Sequence, residues 1–146
     1  MLRLFLLFIS STFIVLYGAE DNRPLRIGSI DRKQTVIQVS PLVLVSHPEQ
    51  YDGKLIQTDL YALTEGADQE NPYLFFIFKD DLDEYRTSNA FYFSLKKNLP
   101  NSSYWAKIIN KKRVLVIGLY RRDSPDKLFF TGCGAITEIE YLQLIK

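Results

Sequence analysis

Along residues 55–63 apolar and polar side chains alternate. Ile56, Thr58, Leu60 and Ala62 fall on one side of an extended chain, and Gln57 and Asp59 on the other. This predicts a strand over Leu55–Leu63 with one core face and one wetter face. The chain enters it through His47–Lys54, where Pro48 biases His47 toward extended geometry and Asp52-Gly53 is a turn pair. Tyr73–Lys79 opens on the unbroken run Tyr-Leu-Phe-Phe-Ile-Phe, a second strand that is either covered on both faces or presents its outer aromatics as a platform. A third strand spans Asn89–Leu95, with Phe91, Phe93 and Leu95 on one face and Ala90, Tyr92 and Ser94 on the other. The period then changes. Trp105, Ile108 and Ile109 recur at i, i+3 and i+4, which predicts a short helix capped by Asn101 or Ser102 and ended by Asn110-Lys111-Lys112. Arg113–Tyr120 reads as a fourth strand, with Gly118 marking a bend or bulge, and Leu128–Ile139 as a fifth, kinked at Gly132 and Gly134. Glu140–Lys146 reads as the fraying end of that strand or a short extension.

Outside these elements the pattern is weaker. Ser40-Pro41 forms a cap and first-turn pair for a short helix over 42–46, although Val43-Leu44-Val45 fits a strand equally well. Thr35–Val39 is a β-branched run suited to an added edge strand. Residues 64–71 and 80–88 read as acidic loops, and residues 20–34, with Pro24 and Gly28, as a linker.

Residues 2–17 are almost wholly apolar, follow a basic start at Arg3 and are trailed by Gly18 and Ala19, the layout of a secretory signal. Tyr17 is bulky for a cut after Ala19, so a cut after Gly18 is equally expected. The alternative is an uncleaved membrane anchor over 1–19, although the apolar stretch is shorter than the roughly 20 residues of a spanning helix. The domain plan is therefore 1–19 signal, 20–34 linker and 35–146 barrel, and the expected location is periplasmic or secreted. Without residues 1–19 the chain balances 17 basic against 17 acidic side chains. That neutrality argues against nucleic acid as a partner, since phosphate binding draws on a basic surplus. Cys133 is the only cysteine and His47 the only histidine. An internal disulfide and the usual zinc or iron–sulfur ligand sets are thereby excluded, and no cofactor is expected. Stability then rests on the core.

Three strands, one short helix and two more strands is the element order of an OB-fold, a five-stranded Greek-key barrel. The expected fold class is thus mainly β: an OB-fold barrel with one short helix between strands three and four, preceded by a signal segment. The chain also resembles small exported bacterial OB-fold proteins of poorly defined function. The resemblance spans roughly residues 41–139. It rests on Pro48-Glu49-Gln50-Tyr51-Asp52-Gly53-Lys54, on Lys112-Arg113-Val114-Leu115-Val116-Ile117-Gly118 and on the glycine-containing fifth strand. Leu60 stands where a glycine is expected in that group, which questions the tight bend there and not the topology. The resemblance implies no cofactor and no catalytic residue.

His47 has no motif pairing it with a nucleophile, and Cys133 between two glycines reads as a small buried hydrophobe before it reads as a reactive thiol. The aromatic stripe of the second and third strands is the stronger lead, because OB-folds bind ligands on that face. Tyr73, Phe75 and Tyr92, with Arg121 and Arg122, form the expected ligand-binding set, and Tyr73 and Tyr92 are expected to reach solvent. The expected function is a non-enzymatic exported binding module for a protein, peptide or glycan. The alternatives are a nucleic-acid or nucleotide binder and a hydrolase, for which the chain offers no nucleophile–base pair.

Overall fold

The computed structural model describes residues 26–31, 33–65, 73–95, 102–123 and 132–145. The expected signal segment 1–19, most of the acidic loop after Thr64 and residues 124–131 lie outside the described residues. In chain order the elements are β1 (Arg26–Gly28), β2 (Ile37–Gln38), α1 (Pro41–Ser46), α2 (Pro48–Tyr51), β3 (Leu55–Leu63), β4 (Tyr73–Phe76), α3 (Lys79–Asp83), β5 (Ala90–Leu95), α4 (Ser102–Ile109), β6 (Arg113–Arg121) and β7 (Ala135–Leu144). A 3-10 turn, Thr87–Asn89, leads into β5.

β3 pairs antiparallel with β4 through Tyr61–Leu63 and with β6 along Leu55–Tyr61. β4 pairs antiparallel with β5, β5 runs parallel to β7, and β7 pairs antiparallel with β6. The ring β3–β4–β5–β7–β6 closes on β3, so the chain forms the expected five-strand OB-type barrel with α4 between its third and fourth staves. Its inner faces supply the core. Ile56, Leu60, Phe75, Phe91, Val114, Val116 and Ile136 are fully buried. Phe75 stacks on Phe93 at 3.8 Å between ring centres, and Tyr73 stacks on the same ring at 5.3 Å. Apolar area removed from water on this scale is what holds a domain without disulfides. β3 runs unbroken through Leu60, which packs inside the barrel.

α4 closes the end where β3 stops and β6 starts. Ile109 and Ala106 are buried, Trp105 packs against the barrel core, Thr64 Oγ1 donates to the Ala106 carbonyl at 2.6 Å, and Asn110 Oδ1 accepts from the Thr64 and Glu65 amides. Lys111 and Glu65 form an ion pair at 3.4 Å. Together with the Asn110 amide, that contact holds the Glu65 carboxyl below its ordinary range, the hydrogen bond from Asn110 being the larger cause.

Four expectations change. The expected linker 20–34 is not only a tether: its β1 pairs with β7 and Ile27 is buried in the barrel core, while the edge strand expected over Thr35–Val39 is present as β2, parallel to the start of β3. The second strand ends at Phe76, and the chain bends and forms α3 where a loop was expected. Acids at Asp80 and Asp81 favour that first turn, and a Lys79–Asp83 ion pair at 2.5 Å spans it. Ser40 holds the cap position of α1 without a side-chain cap bond. Finally, β7 is Ala135–Leu144, starting after Gly134 and running past Ile139, while residues 128–131 of the expected fifth strand lie outside the described residues. Its register against β6 slips, so that Leu119 faces Thr137 while Ile117 faces Tyr141. Residues 138–140 thus bulge opposite Gly118, as the glycine implied. A Cβ at Gly118 would stand 2.8 Å from Ile136 Cγ2 and 3.0 Å from the Thr137 carbonyl oxygen. The bulge breaks the period-two pattern, which is why the tail read as fraying.

Candidate functional site

The residues expected to bind ligand do not share one surface. Tyr73 and Phe75 belong to the inner face: Phe75 is fully buried in the stack with Phe93, so it fills the barrel and cannot meet a ligand. Tyr73 is half-buried and packs against the same core. The β4–β5 register sets Leu74, not Tyr73, beside Tyr92, so the two tyrosines lie on opposite faces of the sheet. Tyr92 instead shares a row with Ala135 and Arg121 across β5, β7 and β6. Arg121 and Arg122 are exposed, and the Arg122 amide donates to Asp52 Oδ1 at 3.0 Å.

His47 is exposed between α1 and α2. Cys133 is half-buried; burial pushes its thiol pKa up, away from the thiolate that reactivity requires, and its Sγ donates to the Ser88 carbonyl at 3.4 Å. The Tyr120 phenol donates to the Cys133 carbonyl at 3.1 Å, and burial pushes its pKa up to about 12. Among the described residues no cluster of His, Cys, Asp and Glu is placed to hold a metal.

The outer face of β3, β4 and β5, where OB-folds take ligands, is covered. Leu82 of α3 packs on Leu74, Phe76 and Ala90, with Tyr61 and Leu63 at the margin, and Tyr85 tilts against Phe76 at 6.3 Å. Asp81, itself buried, ties the covering segment together by accepting from Asn89 Nδ2 at 3.0 Å and Arg86 Nη1 at 3.3 Å.

What remains open is a cleft of ≈ 350 Å³ between α1 and the start of α3, floored by the outer face of β3. Leu42, Phe78 and Tyr61 form its apolar walls, and Asp59, Arg113 and Lys79 its polar ones. Leu42 is 53% and Phe78 49% exposed, high values for large apolar side chains. Both cations are already matched. Arg113 Nε donates to Asp59 Oδ2 at 2.9 Å, which pushes the guanidinium pKa up, and the hydrogen bond to Asp83 does the same for the Lys79 ammonium. The cleft therefore offers two apolar walls and neutralised ion pairs, a surface for side chains and backbone amides and a poor one for a phosphate chain. Period-two alternation in β3 put Asp59 on the wetter face, and the structure sets Tyr61 beside it in the cleft. Nothing local announced that α1 and α3 would wall them in.

No protein-family model matches the chain, and no curated protein matches it. Among solved structures it is similar to a protein assigned as an aspartyl-tRNA synthetase from Leishmania major Friedlin, with 8% identity over 81% of this chain and a TM-score of 0.45. The chain spans 22% of the length of that protein, a likeness too low to carry fold or function across.

Proposed function

We propose that this chain is a non-enzymatic exported binding module, and that it takes an extended peptide or protein segment in the cleft beside β3. The observation that carries the reading is the pairing of exposed Leu42 and Phe78 across a floor of Tyr61 and the Arg113–Asp59 ion pair. An apolar side chain fits between the walls, and the polar floor can meet backbone amides. Neutralised cations favour such a ligand over nucleic acid, and the apolar run 2–17 behind Arg3 supports export.

Selection of random displayed peptides on the folded domain tests this. Tyr61→Ala and Phe78→Ala should each weaken the selected peptides at least about tenfold, the scale of an aromatic anchor, with no change in fold. Arg122→Ala, far from the cleft, should leave affinity unchanged. Peptides that bind all three variants equally would remove the cleft from the reading. Export is tested by the intact mass of protein recovered from the envelope, which should lack residues 1–18 or 1–19.

A further inference from the structure

The cleft does not stop at its visible rim. Tyr61 lines it and also packs against Leu74, Phe76, Leu82 and Ala90, the buried cluster beneath α3. One side chain therefore joins the open cleft to the covered face. The cover is residues 77–89. We infer that this segment is a strap that lifts from the barrel as one unit, carrying the Phe78 wall with it, and widens the cleft from Leu42 and Tyr61 along the outer face of β3 and β4, making room for a peptide that carries several aromatic or aliphatic side chains in an extended run. The ligand class rests on the peptide-binding reading above; the motion does not.

Among the described residues the strap's hydrogen bonds are its own, apart from the one Ser88 accepts from Cys133. Leu82 donates to the Phe78 carbonyl, Glu84 to Asp80, Tyr85 to Leu82, Arg86 to Asp81 and Asn89 to Arg86, and Ile77 donates to Asn89, tying the two ends of the strap together. Its ion pairs are internal as well: Lys79 with Asp83, and Arg86 with Asp81 and Glu84. The lift itself breaks none of these, but a five-residue helix off the barrel is too short to persist, so its amides exchange while the strap is up. Among the described residues its anchors on the barrel are buried Leu82, half-buried Ile77 at its first residue, which packs against the barrel core and stays as the near hinge, and the tilted contact of half-exposed Tyr85 with Phe76. Cys133 holds Ser88 close to the point where the strap rejoins β5, so that end serves as a pivot. A segment with one buried apolar anchor and self-contained hydrogen bonds opens at far lower cost than the barrel beneath it.

The uncovered face would present Leu74, Phe76 and Ala90 between Tyr61 and Leu63, with the tyrosine hydroxyl as the only polar side-chain group among them. A ligand with several apolar side chains matches it, and a sugar or a phosphate does not. The inner core stays shut, because Phe75, Phe91 and Phe93 point into the barrel from the opposite face.

Hydrogen exchange on the ligand-free domain tests the motion. The amides of Leu82, Glu84, Tyr85, Arg86 and Asn89 should exchange at least about 100-fold faster than those of Val114–Tyr120, at rates insensitive to low urea, as a local opening does. Leu82→Ala should speed strap exchange at least about tenfold, leave β6 exchange within about twofold, and raise the fluorescence of added bis-ANS several-fold. Strap and β6 amides exchanging together, in the native chain or in the variant, would overturn the inference, as would unchanged dye binding in the variant. Should the variant fail to fold, the exchange rates of the native chain decide alone. Failure of peptide selection with the exchange pattern intact would remove the ligand class and leave the strap.

Discussion

The barrel interior and the strap-covered outer face are both built from aromatic and aliphatic side chains of the same two strands, yet they are closed in different ways. The inner face is sealed by the ring of strands itself, and every stave contributes. Phe75 and Phe93 stack across β4 and β5 while Ile56, Val114 and Ile136 meet them from β3, β6 and β7. The outer face is sealed by one leucine on a five-residue helix, with Asp81 holding that helix in shape. One apolar surface is thus structural and the other conditional. Alternation along β4 supplies both, and what differs is whether the cover is woven into the sheet or laid upon it.

The sharpest test of that contrast is Phe75→Ala. Loss of the inner stack should cost about 3–5 kcal/mol and lower the urea midpoint of the whole domain in a single transition. Leu82→Ala should weaken closure of the strap by about 2 kcal/mol and leave the urea midpoint of the whole domain nearly unchanged, since its loss is confined to the strap. Equal losses from the two changes would erase the distinction.

Smaller effects sharpen the account of the interior. The Tyr120 phenol has its pKa raised from 10.0 to about 12 by burial. The native state holds a proton that the unfolded chain releases near pH 10, so this contribution is full below about pH 10 and is lost as pH rises toward 12. Urea midpoints should fall across that window in the native chain and much less in Tyr120→Phe. At pH 8 that variant should be weaker by about 1 kcal/mol for its lost hydrogen bond. Thr58 has the opposite sign. Its hydroxyl is buried in the barrel without a partner among the described residues. Thr58→Val should therefore stabilise by about 1 kcal/mol and raise the melting temperature by about 4 °C in a domain of this size. A fall would show that the hydroxyl is satisfied. Smallest is Lys79→Ala, which removes an exposed i, i+4 pair and should leave the urea midpoint indistinguishable from that of the native chain.

Where one face of an element meets one environment throughout, its residues announced it. The bounds of β3 follow from strict alternation, α4 from its change of period, and Gly118 marked the bulge it sits against. Legibility failed where a partner far along the chain decides the outcome. β7 escapes the period-two template because residues 138–140 bulge, so its core positions Ala135, Ile136, Ile139 and Leu142 follow no simple repeat. α3 is short, acidic and held mainly by Leu82, whose role depends on Leu74 and Phe76. The aromatic run of β4 was read correctly as covered on two faces or forming a platform, but residue types alone do not choose between them. The candidate site shows the same limit: Phe75 was assigned to ligand and belongs to the core, while Leu42, Tyr61 and Phe78 meet only after α1 and α3 are in place.

The pairing of Arg26–Gly28 with Tyr141–Gln143 sets a condition on timing. A polypeptide emerging amino end first, from a ribosome or through a translocation pore, must keep β1 waiting until Tyr141–Gln143 has appeared. The parallel junction of β5 with β7 waits for the same event. Barrel closure is therefore a late, long-range step, slow by the measure of sequence separation, and the aromatic run of β4 stays exposed to neighbours until it is complete.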